Sequence, residues 1–298
     1  MPPRFHAFIM SLVERAPAKI NLGLHVLRKR PDGFHDVETV LHRIDWADTV
    51  TAQPAGTLSM TCSDSALPTD EDNLCMQAAR RLAAAFDVAA GAELHLEKRV
   101  PYGAGLGGGS SDAAATLRLL ARLWDLDASD EQLHRIAAEI GADVPFFLSE
   151  APAAYATGRG DELTVLHDDG EPYRLPFSVV VAVPPIEVAT PDAYARVTPD
   201  DADRPCLPSV VRANNPPLWR EALVNDFEPP IAAAHPEVER VRDRLCESRA
   251  DYVSLSGSGG AVCGLFADDA DAEVLLDADA TGEARLHLTS APDPDGKS

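Results

Sequence analysis

The sequence predicts a protein that combines helices and strands, and three observations indicate this. A strand pattern in residues 94–100, a glycine-rich turn and a helix pattern from residue 113 follow one another directly. Residues 125–143 then carry a second helix pattern where an alternating α/β fold would place a strand. Turn-forming residues gather near 166–176, which predicts a boundary between two domains. The length of 298 residues suits either one large domain or two ordinary ones.

The glycine-rich turn is the most informative stretch of the chain. Five of the seven residues from Gly103 to Gly109 are glycine, and Ser110, Ser111 and Asp112 are residue types that favour a helix N-cap. Backbone N–H groups in such a turn are open to approach, and a helix N-terminus attracts anions. We therefore expect a phosphate site made by Gly103, Ala104, Gly105, Leu106, Gly107, Gly108, Gly109, Ser110 and Ser111.

One alternative to phosphate binding is weighed for the turn, and then two known types of phosphate loop. A flexible surface turn is the plainest, but so many glycines beside a helix start favour the anion site. A Walker A motif is excluded because no lysine follows the glycines. A dinucleotide fingerprint can be read from Gly103, Gly105 and Gly108, although the second helix pattern that follows weakens it without excluding it.

Composition restricts the function classes. The formal net charge of −22 argues against general binding of nucleic acid or anionic membranes, while a local positive site for an anionic substrate stays possible. The five cysteines are widely spaced and form no CxxC pair, so neither disulfides nor a metal site is predicted, and reducing cytoplasm is expected. No apolar run approaches membrane-spanning length. Residues 1–10 and 291–298 are predicted to be disordered tails, and Met1 and Met10 are alternative starts.

The first half of the chain reads as strands and a helix around polar candidates. Residues 13–28 alternate as a strand that carries Lys19 and Asn21. On local sequence alone, Lys19 is best interpreted as a surface lysine. Residues 31–36 predict a turn that presents Phe34 and His35, residues 37–53 a strand, and residues 71–86 an amphipathic helix.

The segment from 129 to 160 adds a helix and a turn. Ser129 and Gln132 predict a capping box, and Gly141 suits the C′ position that ends this helix. Asp143 precedes an apolar run, where it could act as a general base or simply as a turn residue. Residues 157–160 predict a hairpin turn between two strands.

The remainder alternates strands, loops and helices. Residues 178–185 predict a buried strand, and a helix begins at Thr190 with Pro191 in its first turn. Residues 199–218 predict a loop rich in proline and asparagine, and residues 223–248 predict two helices. Residues 252–266 form strand, glycine turn and strand, and residues 273–279 and 284–291 predict a short helix and a last strand. The glycine turn Ser256, Gly257, Ser258 and Gly259 is either a simple β-turn or a second anion-binding wall.

Five motifs in this order resemble the GHMP small-molecule kinases. They are PAKINL at 17–22, DGFH at 32–35, the glycine turn at 101–111, GADVP at 141–145 and SGSGG at 256–260, and the likeness spans about residues 13 to 290. The resemblance implies an N-terminal ribosomal-S5-like ATP domain, 11–166, with a left-handed βαβ unit. It implies a ferredoxin-like C-terminal domain, 167–290, that closes the substrate cleft.

The resemblance also implies chemistry. PAKINL, DGFH and GADVPFF are typical of the branch that uses ATP and Mg²⁺ to phosphorylate the 2-hydroxyl of a cytidine diphosphate-bearing methylerythritol, on the way to isoprenoid precursors. By this likeness Asp143 is the base, and Lys19 lies beside it and stabilises developing charge. Asn21 contacts the substrate and Asn73 the adenine. Phe34 and Tyr194 enclose the cytosine, and His35 hydrogen-bonds its edge.

Two departures from the family pattern and three alternatives accompany this interpretation. Phe34 stands where tyrosine is commoner, and Gly260 where proline is frequent. The alternatives are a GHMP kinase for a sugar, homoserine or mevalonate, a nucleotide-binding protein without turnover, and a Rossmann oxidoreductase. The DGFH turn and Tyr194 argue for a cytidine-bearing substrate, and the presence of Lys19 and Asp143 argues for turnover.

Overall fold

The computed structural model describes residues 11–277 and 284–291. The predicted tails, apart from Ala291, lie outside the described residues, as do both alternative starts and the end of the predicted helix beyond residue 277. The strands are β1 (Leu12–Lys29), β2 (His35–Ala55), β3 (Ser59–Cys62), β4 (Gly91–Glu97), β5 (Ala153–Thr157), β6 (Glu162–Val165), β7 (His167–Asp168), β8 (Glu171–Pro172), β9 (Ser178–Val183), β10 (Tyr252–Leu255), β11 (Val262–Phe266) and β12 (Arg285–Thr289). The helices are α1 (Leu74–Ala85), α2 (Gly108–Leu123), α3 (Asp130–Ile140), α4 (Val144–Leu148), α5 (Thr190–Arg196), α6 (Leu207–Arg212), α7 (Pro216–Ala222), α8 (Glu228–Ala234), α9 (Pro236–Glu247) and α10 (Asp269–Asp277).

The chain falls into two compact units that interleave along the sequence. The first unit contains residues 11–16, Asp48–Arg99 and Gly109–Leu148. The second contains Pro17–Ala47, Val100–Gly108 and the described residues from Ser149 onward. Strands β1 and β2 and helix α2 therefore each contribute residues to both units.

In the first unit, β4 pairs with two neighbours. It runs antiparallel to the second half of β2, with Val50 opposite Leu96 and Ala52 opposite Leu94, and parallel to β3. These apolar residues are buried, and the alternate residues Glu93, His95 and Glu97 of β4 are exposed. The two-residue period of the sequence therefore corresponds to the alternation of buried and exposed side chains on the two faces of this strand.

Two helix ends in this unit differ in detail from the sequence prediction. The capping box of Ser129 and Gln132 is present at the start of α3. Gly141 follows this helix, but its φ of −177° is extended backbone, so the helix does not end in the left-handed conformation that favours glycine. Helix α2 begins at Gly108, so Ser110 and Ser111 lie in its first turn and Asp112 follows that turn; none of the three is its N-cap. The glycines themselves turn the chain into the helix.

The second unit contains a four-stranded antiparallel sheet in the order β10-β11-β9-β12. Strand β9 packs on both faces: Val179, Val181 and Val183 join one apolar cluster, whereas Val180 and Ala182 join the other. Burial on both faces explains its unbroken apolar sequence. In the same unit, the first half of β2 pairs with β5, and β5 pairs with β6.

The segment 199–218 is not the continuous loop that its composition predicts. It contains all of α6 and the start of α7, and both helices have proline in the first turn. Proline is tolerated there because the first N–H groups of a helix have no intrahelical partner. Burial of Leu207, Val211 and Trp219 holds these short helices against the core.

Candidate active site

The glycine loop has an alternating backbone conformation. Gly103, Gly105 and Gly107 have φ of 69°, 86° and 69°, whereas Ala104 and Leu106 between them have negative φ. An alternation of positive and negative φ allows successive N–H groups to line one concave side of a loop, a recurrent anion-binding geometry. The side chains of Ala104 and Leu106 point into the apolar core. The loop is thus suited to hold phosphate through its backbone.

Three carbonyl groups of this loop accept hydrogen bonds from other parts of the protein. Ala261 N–H donates to the Ala104 oxygen at 3.0 Å, and Lys19 N–H donates to the Leu106 oxygen at 2.9 Å. The Gly105 oxygen accepts from Lys19 Nζ at 2.9 Å and from Ser256 Oγ at 3.3 Å. These hydrogen bonds satisfy the three carbonyl oxygens and hold the loop backbone in place.

The second glycine turn packs directly on the first. A Cβ on Gly105 would overlap the Ser256 oxygen, and one on Gly259 would overlap the backbone of Ala104. A Cβ on Gly257 would lie 2.9 Å from the Gly105 oxygen and 3.2 Å from Lys19 Nζ. The predicted turn at 256–259 is therefore a structural wall of the glycine loop, and its glycines allow close backbone approach.

Lys19 is a buried lysine, which corrects the surface position expected from local sequence. Its side chain is 4% exposed, and Nζ donates to Asn21 Oδ1 at 2.6 Å as well as to Gly105. Asn21 Nδ2 donates in turn to Thr39 Oγ1 at 2.9 Å, and this hydroxyl donates to the Gly23 oxygen at 2.6 Å. The chain of hydrogen bonds fixes the ammonium and amide orientations on one face of β1.

The remaining candidates for ATP chemistry lie in the first unit. Asp143 is half-buried and directly precedes α4, and Ser110 is half-buried in the first turn of α2. Ser111 is fully buried, and its Oγ has no hydrogen-bond partner among the described residues. Asn73 is the N-cap of α1: it accepts from Cys75 N–H at 2.9 Å and donates to the Pro68 oxygen at 2.8 Å. Its amide is thus engaged in local structure.

A buried ionic cluster, which the sequence did not reveal, lies at the start of α2. Lys98 Nζ is 2.5 Å from Asp48 and 2.9 Å from Asp112, and all three side chains are at most 5% exposed. Burial raises the pKa of Asp112 to about 7; the charge of Lys98 opposes this shift and that of Asp48 adds to it. The cluster joins the interior of β2 and the end of β4 to α2 within the first unit. Its signal in the sequence was an acid and a lysine on either side of the glycine loop.

The turn that carries Phe34 and His35 is well ordered by its own polar groups. Arg30 N–H donates to the Phe34 oxygen at 2.8 Å, and Phe34 N–H donates to Asp32 Oδ1 at 3.1 Å. Gly33 has φ of 90° and open space around it, so the turn conformation alone requires glycine there. The Arg30 guanidinium pairs with Asp32 and Asp36.

The aromatic groups of the predicted cytosine end are arranged in two pairs. His35 stacks on Tyr194 with ring centres 4.7 Å apart, and Tyr194 meets Phe227 edge-on at 4.8 Å. Phe34 is 56% exposed, and the Arg159 guanidinium lies 5.2 Å from its ring centre. Tyr194 therefore stacks on His35 and not on Phe34. Burial lowers the pKa of His35, which favours the neutral imidazole with one donor and one acceptor.

Arg159 is a residue of this region that sequence reasoning missed. It was read only as part of the hairpin turn between β5 and β6, and its guanidinium pairs with Asp161 as well as covering Phe34. A cation over an exposed aromatic ring is attracted by the ring quadrupole. Nothing in the spacing of 157–160 relates it to residue 34, because the contact depends on the pairing of β2 with β5.

The metal-ligating side chains of the described residues are dispersed. Among residues 11–277 and 284–291, no group of three or more His, Cys, Asp or Glu side chains could hold a metal ion. Magnesium is typically held by nucleotide phosphates, waters and one or two protein oxygens. The same described residues include no helix that is long and apolar enough to cross a bilayer.

Comparison with known proteins agrees with this geometry. The GHMP kinase N-terminal domain model matches residues 73–151, and the GHMP kinase C-terminal model matches residues 207–278. The 4-diphosphocytidyl-2-C-methyl-D-erythritol kinase of Salinibacter ruber is 65% identical over 283 residues, which cover 95% of this chain and 100% of that protein.

Solved structures show the same fold. A crystal structure of 4-(cytidine 5'-diphospho)-2C-methyl-D-erythritol kinase matches with a TM-score of 0.76 and 34% identity, covering 94% of this chain and 99% of that one. A homoserine kinase from Cytophaga hutchinsonii has a TM-score of 0.73 at 19% identity, covering 97% of each chain, and shows likeness of fold alone.

These matches make the chain a small-molecule kinase with ATP as co-substrate. It belongs to the GHMP kinase family and, within that family, to the 4-diphosphocytidyl-2-C-methyl-D-erythritol kinases. The two-domain α+β GHMP fold expected from the sequence is confirmed.

Proposed function

We propose that the protein transfers the γ-phosphate of ATP to the 2-hydroxyl of 4-diphosphocytidyl-2-C-methyl-D-erythritol, a step in the supply of isoprenoid precursors. The observation that carries this proposal is the 65% identity to a kinase of that name over its whole length. The fixed ammonium group of Lys19 on the glycine loop supports a phosphoryl-transfer reaction.

The loop would hold the transferred phosphate. Its concave N–H groups, together with Ser110 and Ser111, bind the ATP phosphates, and the turn 256–259 keeps the loop in shape. Mg²⁺ bound to ATP supplies charge neutralisation when present. The bound carbonyls and alternating glycines support this role because they hold the loop backbone in place and allow its N–H groups to line one concave side.

The acceptor alcohol needs a proton acceptor and charge stabilisation. We assign the general base to Asp143: the substrate oxygen bonds to the γ-phosphorus, the bond to the β–γ bridging oxygen breaks, and the hydroxyl proton passes to the carboxylate. Lys19 stabilises charge on the phosphoryl oxygens, and Asn21 positions the acceptor. The hydrogen-bonded row Lys19, Asn21 and Thr39 supports a preorganised acceptor side.

The cytidine end is assigned to the turn at 32–35. Phe34 and Tyr194 provide faces for the base, and neutral His35 can hydrogen-bond its edge. Since His35 stacks on Tyr194, the base would take the place of the imidazole on that ring. We also propose that Asn73 contacts the adenine of ATP, in addition to the hydrogen bonds by which it caps α1. We also propose the domain division 11–166 and 167–290, and a cytoplasmic location.

An ADP-release assay tests the function. Purified protein is given ATP, Mg²⁺ and either the cytidyl methylerythritol, galactose, homoserine or mevalonate. We expect ADP release with the cytidyl acceptor alone, and CMP or CDP should compete with that acceptor. Release with another acceptor would contradict the cytidine assignment. Absence of release from folded protein that binds ATP would contradict catalysis.

A further inference from the structure

Asn225 is a buried amide tied to the strand that carries Lys19. It lies between α7 and α8 and is 3% exposed. On either side of it, Leu24 N–H donates to the Val224 oxygen at 2.9 Å and Asp226 N–H donates to the Leu24 oxygen at 2.9 Å. The backbone of Asn225 is therefore fixed against β1, at a point close in sequence to Asn21 and Gly23.

Both the nitrogen and the oxygen of the Asn225 side-chain amide form hydrogen bonds to backbone groups. Nδ2 donates to the Leu255 oxygen at 2.8 Å and to the Gly257 oxygen at 2.9 Å, while Oδ1 accepts from Phe227 N–H at 3.0 Å. An N–H on one side and two carbonyls on the other determine which way the amide faces. Asn225 thus binds the carbonyl of Leu255, directly before the second glycine turn, and the carbonyl of Gly257 within it.

These bonds fix the direction of two peptide groups. In a trans peptide the N–H points opposite to the C=O, so the N–H groups of Ser256 and Ser258 point away from Asn225. Ser256 N–H donates to the Ala261 oxygen at 2.8 Å, as this direction requires. The Gly257–Ser258 peptide lies in the turn after β10, outside any strand, and Gly257 has a φ of 61°. Glycine has access to more backbone conformations than other residues, so the hydrogen bond from Asn225 is an important restraint on this peptide.

We infer that Asn225 is a positioning residue for phosphoryl transfer, holding the Gly257 carbonyl away from Lys19 and the glycine loop. This inference rests on the proposed function. Gly257 lies against the Gly105 oxygen and Lys19 Nζ. A Gly257 carbonyl released from Asn225 could turn towards them, and its negative end would repel the transferred phosphate. Asn225 acts on ATP through the turn and does not itself touch the substrate.

The test compares Asn225→Asp, Asn225→Ala and wild type between pH 6 and 9. Asp is nearly isosteric with Asn, but its carboxylate repels the two carbonyls, and only its protonated form can donate to one of them. We expect kcat/KM for ATP to fall about tenfold to a hundredfold at pH 8.5. The deficit relative to wild type should shrink as the pH falls. Asn225→Ala should be impaired at every pH.

Comparison of each variant with wild type at the same pH cancels the titration of neighbouring charged groups. Asp226, Glu228, Arg242, Arg204 and Lys19 surround this segment in both proteins, so the variant-to-wild-type ratio removes their titration. Asn215→Ala is the matched control, because the exposed Asn215 also accepts a backbone N–H through Oδ1, as the N-cap of α7. Its melting temperature should fall while both KM values and the pH profile stay those of wild type.

The outcomes separate this inference from the proposed function. Wild-type values of kcat and of KM for ATP at every pH in a folded Asn225→Asp variant would overturn the role of Asn225. If wild type does not phosphorylate the cytidyl acceptor, calorimetric ATP binding still decides: we expect weaker, pH-dependent binding by Asn225→Asp, and equal affinity overturns the inference. Should this variant fail to fold, Asn225→Ser, which keeps one donor, is compared in the same way.

Discussion

The ammonium group of Lys19 donates to the backbone carbonyl of Gly105, 86 residues later in the chain, at 2.9 Å. The backbone N–H of the same lysine donates to the Leu106 oxygen at 2.9 Å. One residue therefore holds two successive peptides of the glycine loop, by its main chain and by its side chain. The loop conformation and the position of the ammonium charge depend on each other.

Lys19→Met separates these two contacts. The backbone bond to Leu106 is retained and the charge is lost, so we expect kcat to fall about 10²- to 10³-fold because a donor for developing negative charge is missing. Steady-state kinetics with both substrates measures the loss. Arg135→Met, which removes an exposed cation on α3, should keep wild-type kcat. A Lys19→Met enzyme of normal turnover would exclude the lysine from catalysis.

Gly105→Ala and Gly33→Ala distinguish close packing from backbone strain. Both glycines have positive φ, but only Gly105 faces another backbone where a Cβ would stand. We expect Gly33→Ala to reduce the free energy of unfolding by about 1–2 kcal/mol. Gly105→Ala should lose at least about 3 kcal/mol, because overlap with the Ser256 oxygen adds to the strain. Urea unfolding measures both, and equal losses would contradict the interlocked turns.

Asp143→Asn tests the proposed base. We expect kcat to fall about 10²- to 10⁴-fold, the usual contribution of a positioned general base, while calorimetric ATP affinity stays unchanged. The exposed first-turn residue Asp130 of α3 provides the control Asp130→Asn, which should retain activity. Turnover equal to wild type would remove Asp143 from the proton transfer.

Phe34→Ala tests the aromatic face for cytosine. Loss of one base–aromatic stack corresponds to about 1–3 kcal/mol, so KM for the cytidyl acceptor should rise about 5- to 150-fold while KM for ATP stays constant. Val274→Ala removes a similarly exposed apolar side chain on α10 and should change neither constant. A parallel rise of both KM values would contradict the stacking assignment.

Lys98 and Asp112 predict a pH dependence of stability. The pKa of Asp112 is about 7 in the folded state against an ordinary value of 3.8, so the native state binds this proton more tightly than the unfolded state does. Stability from this group is therefore greatest below pH 4 and declines as the pH rises towards 7. Asp112→Asn removes the titration, and its melting temperature should vary less than that of wild type between pH 5 and 8. Identical pH profiles would contradict the raised pKa.

Lys98→Met examines the other half of the cluster. Removing the cation leaves two buried carboxylates without compensation, and we expect a loss of about 3–5 kcal/mol in the free energy of unfolding at pH 8. Denaturant unfolding measures it. Arg80→Met breaks the exposed pair with Glu71 and should cost less than about 1 kcal/mol. Similar losses in the two variants would mean that burial of the cluster is unimportant.

Local patterns predicted most of the fold. The alternation in 94–97, the capping box at Ser129 and the two-glycine turn after Thr157 were readable because each depends on residues within a few positions. Residues 199–218 were misread because proline and asparagine suggest a loop, whereas burial of Trp219 and Leu207 stabilises short helices there. Burial is a tertiary property that composition does not contain.

The motifs of the site could be predicted from the sequence, but the hydrogen bonds that join them could not. The glycine loop and the SGSG turn stood out individually, yet their contact joins residues 151 positions apart. Local sequence predicted that Lys19 is exposed, because only one of its acceptors, Asn21, is close in sequence. The other, the Gly105 oxygen, is brought near only by the fold. Asn225 carried no local signal at all, since its partners are carbonyls some 30 residues away.

Some hydrogen bonds of the glycine loop can form only late in synthesis of the chain. Residues 103–107 leave the ribosome long before Ser256 and Ala261, the residues whose hydroxyl and N–H bind the loop carbonyls. A nascent chain that ends before residue 256 has the whole glycine motif and Lys19, but it lacks the Ser256 hydroxyl and the Ala261 N–H that complete the binding of the loop carbonyls. Nucleotide affinity should therefore be acquired late, when the last segment of the polypeptide has emerged, which keeps unfinished chains from sequestering ATP.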